Sequence, residues 1–270
     1  MSLVELTDSA VHSRSETPAL AAQTVLVTGG ARGLGAAISR AFLGAGARVV
    51  VNYFNSAEAA TGLVAEYPQQ VLALRADVRD RDQVGEMFTA AEDHFGTAPT
   101  TVVNNALSEF SFNGDARPHA EDLSAAHLLA QFTGSVQAPV NVIQAALPGM
   151  RAAGAGRIIN IGTNLFQHPV VPYHDYTATK AALLALTRTL AEDLGPGGIA
   201  VNMVSGGLLR TTDASSATPA EVFDGIAAGT PLREVTTPEQ LADAVLFFAH
   251  PWSRGVTGQN LIVDGGLVKG

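Results

Sequence analysis

The sequence predicts an α/β fold: a single doubly wound parallel sheet of about seven strands, flanked by helices. Three observations predict it. From Gln23 onward, short β-branched runs alternate with Ala-rich segments of helical period. Runs such as RVVVNY and RIINI are apolar without a break, as strands covered on both faces are. The first strand runs straight into a glycine-rich turn and a helix, the start of a βαβ unit. Strands are expected at 24–28, 48–53, 71–76, 101–104, 157–161, 199–204 and 260–263. Helices are expected near 33–46, 57–66, 80–95, 136–152, 176–194 and 238–249. Residues 1–20 are read as a tail and 21–270 as one domain. The long stretch 206–236 before the last helix is read as a lid over a substrate.

Composition narrows the function. Apolar residues make up 47% of the 270, enough for a sizeable core. The net charge is −9 and no basic run exists, which argues against a nucleic-acid partner. There is no cysteine, so disulfides, thiol catalysis and Cys-ligated zinc are excluded. No apolar stretch approaches the roughly 18–20 residues of a membrane span. The first twenty residues lack a basic segment followed by an apolar one, so no signal peptide is expected. A cytoplasmic protein is the expectation.

The turn VLVTGGARGLGAAI carries Gly29, Gly30, Gly33 and Gly35. Glycine permits a tight turn and lets a phosphate approach backbone N–H groups. The helix that follows adds a field favourable to a pyrophosphate. A plain tight βα turn is the alternative. The second strand ends in Asn52, Tyr53, Phe54 and Asn55. An NAD site usually places a carboxylate here on the ribose 2′-OH. With none present and Arg32 in the glycine loop, NADP(H) is favoured and NAD(H) is the alternative. A solvated surface arginine is the lesser alternative for Arg32. Asp77, after the third strand, either receives an adenine amino group or caps the helix starting near Asp80.

The segment PYHDYTATK holds Tyr173, Tyr176 and Lys180. The chain has only two lysines, Lys180 and Lys269. Tyr176 and Lys180 stand at i and i+4 on one helix face. An ammonium there favours a phenolate, and bringing a phenol of pKa ~10 toward neutrality takes roughly 4 kcal/mol. Tyr173 has Thr177 at i+4, so Tyr176 is read as the reactive phenol and Tyr173 as pocket lining. A plain surface Tyr–Lys contact is the bland alternative.

TGGARGLG, ADV, NNA, GRIINIGT, YTATK, GIAVNMVSGG and VTGQNLIVDGGL occur in this order across residues 22–268. Together they resemble the short-chain dehydrogenase/reductase family, on the branch that includes β-ketoacyl-acyl-carrier-protein reductases. The resemblance implies a Rossmann-type sheet, a nicotinamide cofactor and hydride transfer with a carbonyl/alcohol pair. It implies that Tyr176 is the acid/base and that Lys180 binds the ribose and lowers the phenol pKa. It implies cofactor contacts at Gly29, Arg32, Gly33, Leu34, Gly35, Asn52, Tyr53, Asp77, Val78, Asn104, Ala106, Gly207, Leu209 and Thr211, with Tyr176 and Lys180.

The chain also departs from that pattern. Thr163 stands where the family usually has Ser; it keeps the hydroxyl but narrows the pocket. A merely structural Thr at a strand end is the alternative. The family's Asn that supports a proton-relay water aligns with Ser135, or with Gln131 under a shifted alignment. Leu107 replaces a Gly near the nicotinamide and should enter the cleft or push the following loop outward. Gly206–Gly207 replaces a Pro–Gly turn, which loosens the base of the lid.

Leu107, Phe166, Tyr173 and Leu208 are expected to line an apolar substrate pocket, with Phe110 and Phe112 nearby. No metal is expected, since His168 and His174 lack a recognised ligand spacing and are read as pocket lining or solvent-exposed. The expected substrate is a carbonyl/alcohol pair, with a 3-oxoacyl thioester as the family-level guess. An acidic acyl-carrier partner would need a basic patch, for which Arg151 and Arg210 are candidates. A catalytically weak NADP(H)-binding sensor or scaffold is the competing reading. A homotetramer or homodimer is expected.

Overall fold

A computed structural model describes residues 17–107, 110, 112–212, 215–216 and 218–269. The expected tail falls mostly outside these residues. All seven expected strands form: β1 (Thr24–Val27), β2 (Arg48–Tyr53), β3 (Val71–Arg75), β4 (Thr101–Asn104), β5 (Gly156–Thr163), β6 (Ile199–Gly206) and β7 (Asn260–Val263). They make one sheet in the order β3-β2-β1-β4-β5-β6-β7, every pairing parallel. The strand order reverses between β1 and β4, and ligands of such sheets bind in the crevice beyond the strand C-termini there.

Helices cover both faces. They are α1 (Gly33–Gly44), α2 (Ala57–Glu66), α3 (Arg81–Phe95), α4 (Ala125–Phe132), α5 (Ala138–Ala153), α6 (His174–Leu194), α7 (Ala220–Gly229) and α8 (Pro238–Ala249). Alternation along a single strand feeds two cores. Val25 and Val27 join Ile38, Phe42, Leu241 and Phe248 in one, while Leu26 joins Val84, Met87, Val142 and Met150 in the other. Burial on both faces is why the strands read as unbroken apolar runs.

Two helices were not expected. A single π-helical turn, Thr133–Gln137, joins α4 to α5 in one rod. The start of α4 is a capping box in which Ser124 Oγ accepts from His127 N and His127 Nδ1 accepts from Ser124 N. With His in place of the usual Glu or Gln, the signature is hidden from pattern reading. Within 206–236, α7 buries only Phe223, so its periodicity is weak.

Candidate active site

The glycine turn is held by polar stitches from two neighbouring strands. Thr28 Oγ1 accepts from Asn105 N at 2.9 Å and from Ala106 N at 3.0 Å. Asn105 Nδ2 donates to the Thr28 carbonyl at 2.9 Å. From the other side, Asn52 Oδ1 accepts from Gly29 N at 3.2 Å and Asn52 Nδ2 donates to the Ala76 carbonyl at 3.0 Å. Gly29 and Gly33 have φ of +61° and +51°, a region costly for other residues. Thr28 and Asn105 escaped sequence reasoning. Both stand inside quoted motifs, TGGARGLG and NNA, but their partnership shows only once β1 and β4 prove to be neighbours.

Tyr176, Lys180 and Thr163 come together although they arise from α6 and the end of β5. Each is at least 94% buried. A hydrogen bond with Thr163 helps the Tyr176 phenolate, but burial is the larger effect and pushes the phenol up to about 12. Lys180 Nζ donates to the Ile161 carbonyl at 2.7 Å and stands 5.8 Å from the Tyr176 ring centre. Burial lowers its pKa to about 8. The lowered phenol pKa is expected from Lys180 together with a cationic nicotinamide ring; within the chain itself, desolvation disfavours both charged forms, and the phenol is raised.

This has a measurable consequence. An unfolded lysine titrates near ~10.4. Between about pH 8 and that value the folded chain binds fewer protons at Lys180, so this group adds stability as pH rises. Tyr176 acts oppositely, but only above about pH 10, where the unfolded phenol begins to lose its proton first. The melting temperature of the wild type relative to Lys180→Met should therefore rise between about pH 7 and pH 9.5. A difference independent of pH would show that Lys180 is not desolvated.

An aromatic cluster covers the tyrosine. Phe110 stacks on Tyr176, with centroids 4.6 Å apart and planes at 22°, and Phe112 meets the same ring edge-on at 5.5 Å. Tyr173 packs against both phenylalanines, and its Oη accepts from Gly114 N at 2.9 Å. Beside the cluster lies a cavity of about 240 Å³ lined by Phe110, Asn113, Arg117, Tyr173, His174 and Asp175 among others. Leu107 is 37% exposed; Phe110, three residues on, covers Tyr176. Phe166 and Leu208 are half-buried. Ser135 is buried in the π turn, and its Oγ has no hydrogen-bond partner among the described residues. His174 lines the cavity and His168 is exposed. No cluster of metal-ligating side chains occurs among the described residues.

The family described as enoyl-(acyl carrier protein) reductase matches residues 29–268. The chain is 32% identical to the hydroxynaphthalene reductase-like protein Arp2 of Metarhizium majus, over 95% of this chain and 99% of that one. The chain is a short-chain dehydrogenase/reductase. This enzyme is also 29% identical to the 3-oxoacyl-[acyl-carrier-protein] reductase MabA of Mycobacterium bovis, over 97% and 99% of the two chains. Among solved structures it resembles a dehydrogenase/reductase from Sinorhizobium meliloti 1021, at 33% identity and a TM-score of 0.81, covering 92% of this chain and 96% of that one. It also resembles a 7α-hydroxysteroid dehydrogenase complexed with NADH and 7-oxo glycochenodeoxycholic acid, at 30% identity and a TM-score of 0.82, covering 92% and 95%.

The short-chain dehydrogenase/reductase is NAD(P)-dependent, and its glycine turn fits a dinucleotide. No side chain caps the start of α1, so its first N–H groups are left for an anion. A Cβ on Gly35 would lie 2.0 Å from the Gly29 carbonyl oxygen, so the turn closes only around glycine. Gly207 is also constrained, because a Cβ there would come within 2.9 Å of Asn164 Nδ2.

The structure places the other expected cofactor residues as follows. Asn52 is 2% exposed, and its carboxamide bonds the glycine turn and the Ala76 carbonyl just after β3. Asn104 turns into the sheet and donates to Asn160 Oδ1 at 2.8 Å. Val78 is buried beside α3, and Leu209 is buried in the core beneath α1 and α8. Asp77 does not cap a helix; Asp80 does, accepting from Asp82 N and Gln83 N. The Asp77 carboxylate instead takes Arg79, whose Nη2 lies 2.8 Å away, and this pairing lowers its pKa. Leu34 and Tyr53 are half-buried against the α1 core, while Arg32 and Thr211 are exposed. Ala106 is held close to the turn, as a Cβ on Gly29 would meet its Cα at 3.2 Å.

Proposed function

We propose that this enzyme is an NADP(H)-dependent reductase or dehydrogenase of an apolar carbonyl/alcohol pair, with Tyr176 as acid/base. The observation that carries the reading is the buried trio of Tyr176, Thr163 and Lys180 under an aromatic cover. Tyr176 gives its proton to the substrate oxygen, or takes it back in the reverse direction. Thr163 orients that oxygen through its hydroxyl. Lys180 Nζ, bound to the Ile161 carbonyl beneath the site, would hold the nicotinamide ribose and, when charged, favour the phenolate. When bound, the nicotinamide supplies or accepts the hydride. With the phenol held up at about 12, the protonated form dominates near neutral pH, and carbonyl reduction needs that form. Ser135 is assigned to hold a water of the proton relay, a role supported by a buried hydroxyl that has no hydrogen-bond partner among the described residues.

Phe110, Phe112 and Tyr173 favour a substrate with a substantial apolar or planar face. The relatives' names differ in substrate, so a 3-oxoacyl thioester is one candidate class among apolar ketones. The stretch 206–236 serves as the lid, anchored at its far end where Leu232 N donates to the Gly265 carbonyl. NADP(H) is favoured because residues 52–56 offer no carboxylate to repel a 2′-phosphate and Arg32 opens α1.

Titrating NADPH and NADH into the wild type and Arg32→Ala, then assaying a panel of ketones and 3-oxoacyl thioesters, tests the whole reading. Tighter NADPH binding, lost in the variant, and turnover of at least one apolar ketone are expected. Equal affinity for both cofactors refutes the NADP(H) preference. Second copies of the chain are expected on the edge strand β7, where Leu261 is exposed near the C-terminus, and the assembly is placed in the cytoplasm. A monomer by light scattering at micromolar concentration, or recovery of the protein outside the cytoplasmic fraction, would overturn these two statements.

A further inference from the structure

We infer that Arg75, at the end of β3, is a determinant of phosphate recognition at the adenosine end of the cofactor site. The inference rests on the NADP(H) reading above and extends it to a residue that cofactor-motif reading does not reach. In the parallel register Arg75 lies beside Tyr53, the last residue of β2. Its guanidinium folds across the strand end. Arg75 Nε donates to the Phe54 carbonyl at 3.1 Å, and Cζ sits 5.3 Å from the centre of the Phe54 ring. Phe54 is itself 43% exposed, so the stacked pair faces solvent at the C-terminal edge of the sheet.

That edge is continuous with the glycine turn. Asn52, two residues before Phe54, accepts Gly30 N through its carbonyl at 2.9 Å and Gly29 N through its side chain. Ala76, next to Arg75, accepts from Asn52 Nδ2 and donates its N–H to the Tyr53 carbonyl. A dinucleotide with its pyrophosphate at the start of α1 lays its adenosine ribose over the end of β2. Its 2′ position would then be within reach of Phe54 and the guanidinium stacked on it. Arginine presents several donors in a fixed plane, suited to phosphate oxygens, and stacking on an aromatic ring pre-orients it.

The charge balance at this corner agrees. Arg75 forms no ion pair with a carboxylate among the described residues, whereas Asp77 is already matched by Arg79. Where a second arginine is absent from the end of β2, β3 supplies one by stacking on Phe54.

The test uses ligands that do no redox chemistry. Adenosine 2′,5′-bisphosphate and adenosine 5′-monophosphate are titrated calorimetrically into the full-length wild type, Arg75→Ala, Arg75→Lys and Arg32→Ala at one ionic strength. The wild type should prefer the bisphosphate. Arg75→Ala should lose about tenfold in affinity for the bisphosphate, as expected for one charge-assisted contact, while its affinity for the monophosphate is unchanged. Arg75→Lys should recover part of the loss. A bisphosphate preference intact in Arg75→Ala, or an equal loss for both ligands, overturns the role of Arg75 and leaves the NADP(H) reading standing. A wild type with no preference between the ligands overturns that reading and the Arg75 proposal with it. Melting curves of each variant report whether the fold is kept, which is expected for a side chain at an exposed strand end.

Discussion

Tyr176→Phe should lower turnover by about a hundredfold to ten-thousandfold, the usual cost of removing a general acid. The change deletes one oxygen and keeps the ring that Phe110 stacks on, so packing is preserved. Cofactor affinity should change little. Tyr173→Phe is the matched control, because it removes an oxygen from the same cluster. Its loss frees Gly114 N and loosens the loop that carries Phe110 and Phe112, so KM should rise while most turnover remains. Steady-state kinetics with a ketone that the enzyme reduces separate the two. If Tyr176→Phe keeps more than about a tenth of wild-type turnover, the acid is another group, and His174 or Asp175 beside the cavity becomes the next to test.

Gly35→Ala should abolish measurable dinucleotide binding and lower the melting temperature. The new Cβ would lie 2.0 Å from the Gly29 carbonyl oxygen and 2.7 Å from Asn105 Nδ2. Backbone and stitch must then both move, and overpacking of this kind costs about 1–3 kcal/mol even where neighbours can yield. The damage falls on the turn that presents N–H groups to a pyrophosphate, so binding suffers beyond the loss of stability. Gly85→Ala, in the middle of α3, has nothing within 4 Å of its new Cβ and should stabilise the fold by roughly 0.5–1 kcal/mol. Thermal melts and NADPH titration of the two variants give opposite signs if the argument holds. A Gly35→Ala protein that binds the dinucleotide normally would show that the turn is not the phosphate cradle.

Much of the molecule could be read from the chain because its determinants are local. Unbroken β-branched runs placed seven strands, since residues buried on both faces leave no polar gap. The turn from Gly29 to Gly35 and the four-residue step from Tyr176 to Lys180 are short-range patterns that no distant contact rewrites. The helix α4 was hidden because its cap uses His127 where the pattern expects Glu or Gln, and α7 because it buries one phenylalanine.

What only the tertiary structure decided depends on who lies beside whom. Asn52 looks like a cofactor ligand along the chain, yet its carboxamide bonds Gly29 N and the Ala76 carbonyl, whereas Asn104 gives its amide N–H to Asn160 and keeps a buried Oδ1 with no partner among the described residues. Arg75 reaches Phe54 only because β3 lies against β2 in that register. The tyrosine–lysine spacing brings a cation near the phenol, but the spacing does not set the dielectric. With Phe110 stacked on the ring and both groups buried, desolvation dominates, and the phenol rises while the ammonium falls. The sequence by itself determined which groups share a helix face; the depth of their burial, and so their charge, was settled by segments distant along the chain.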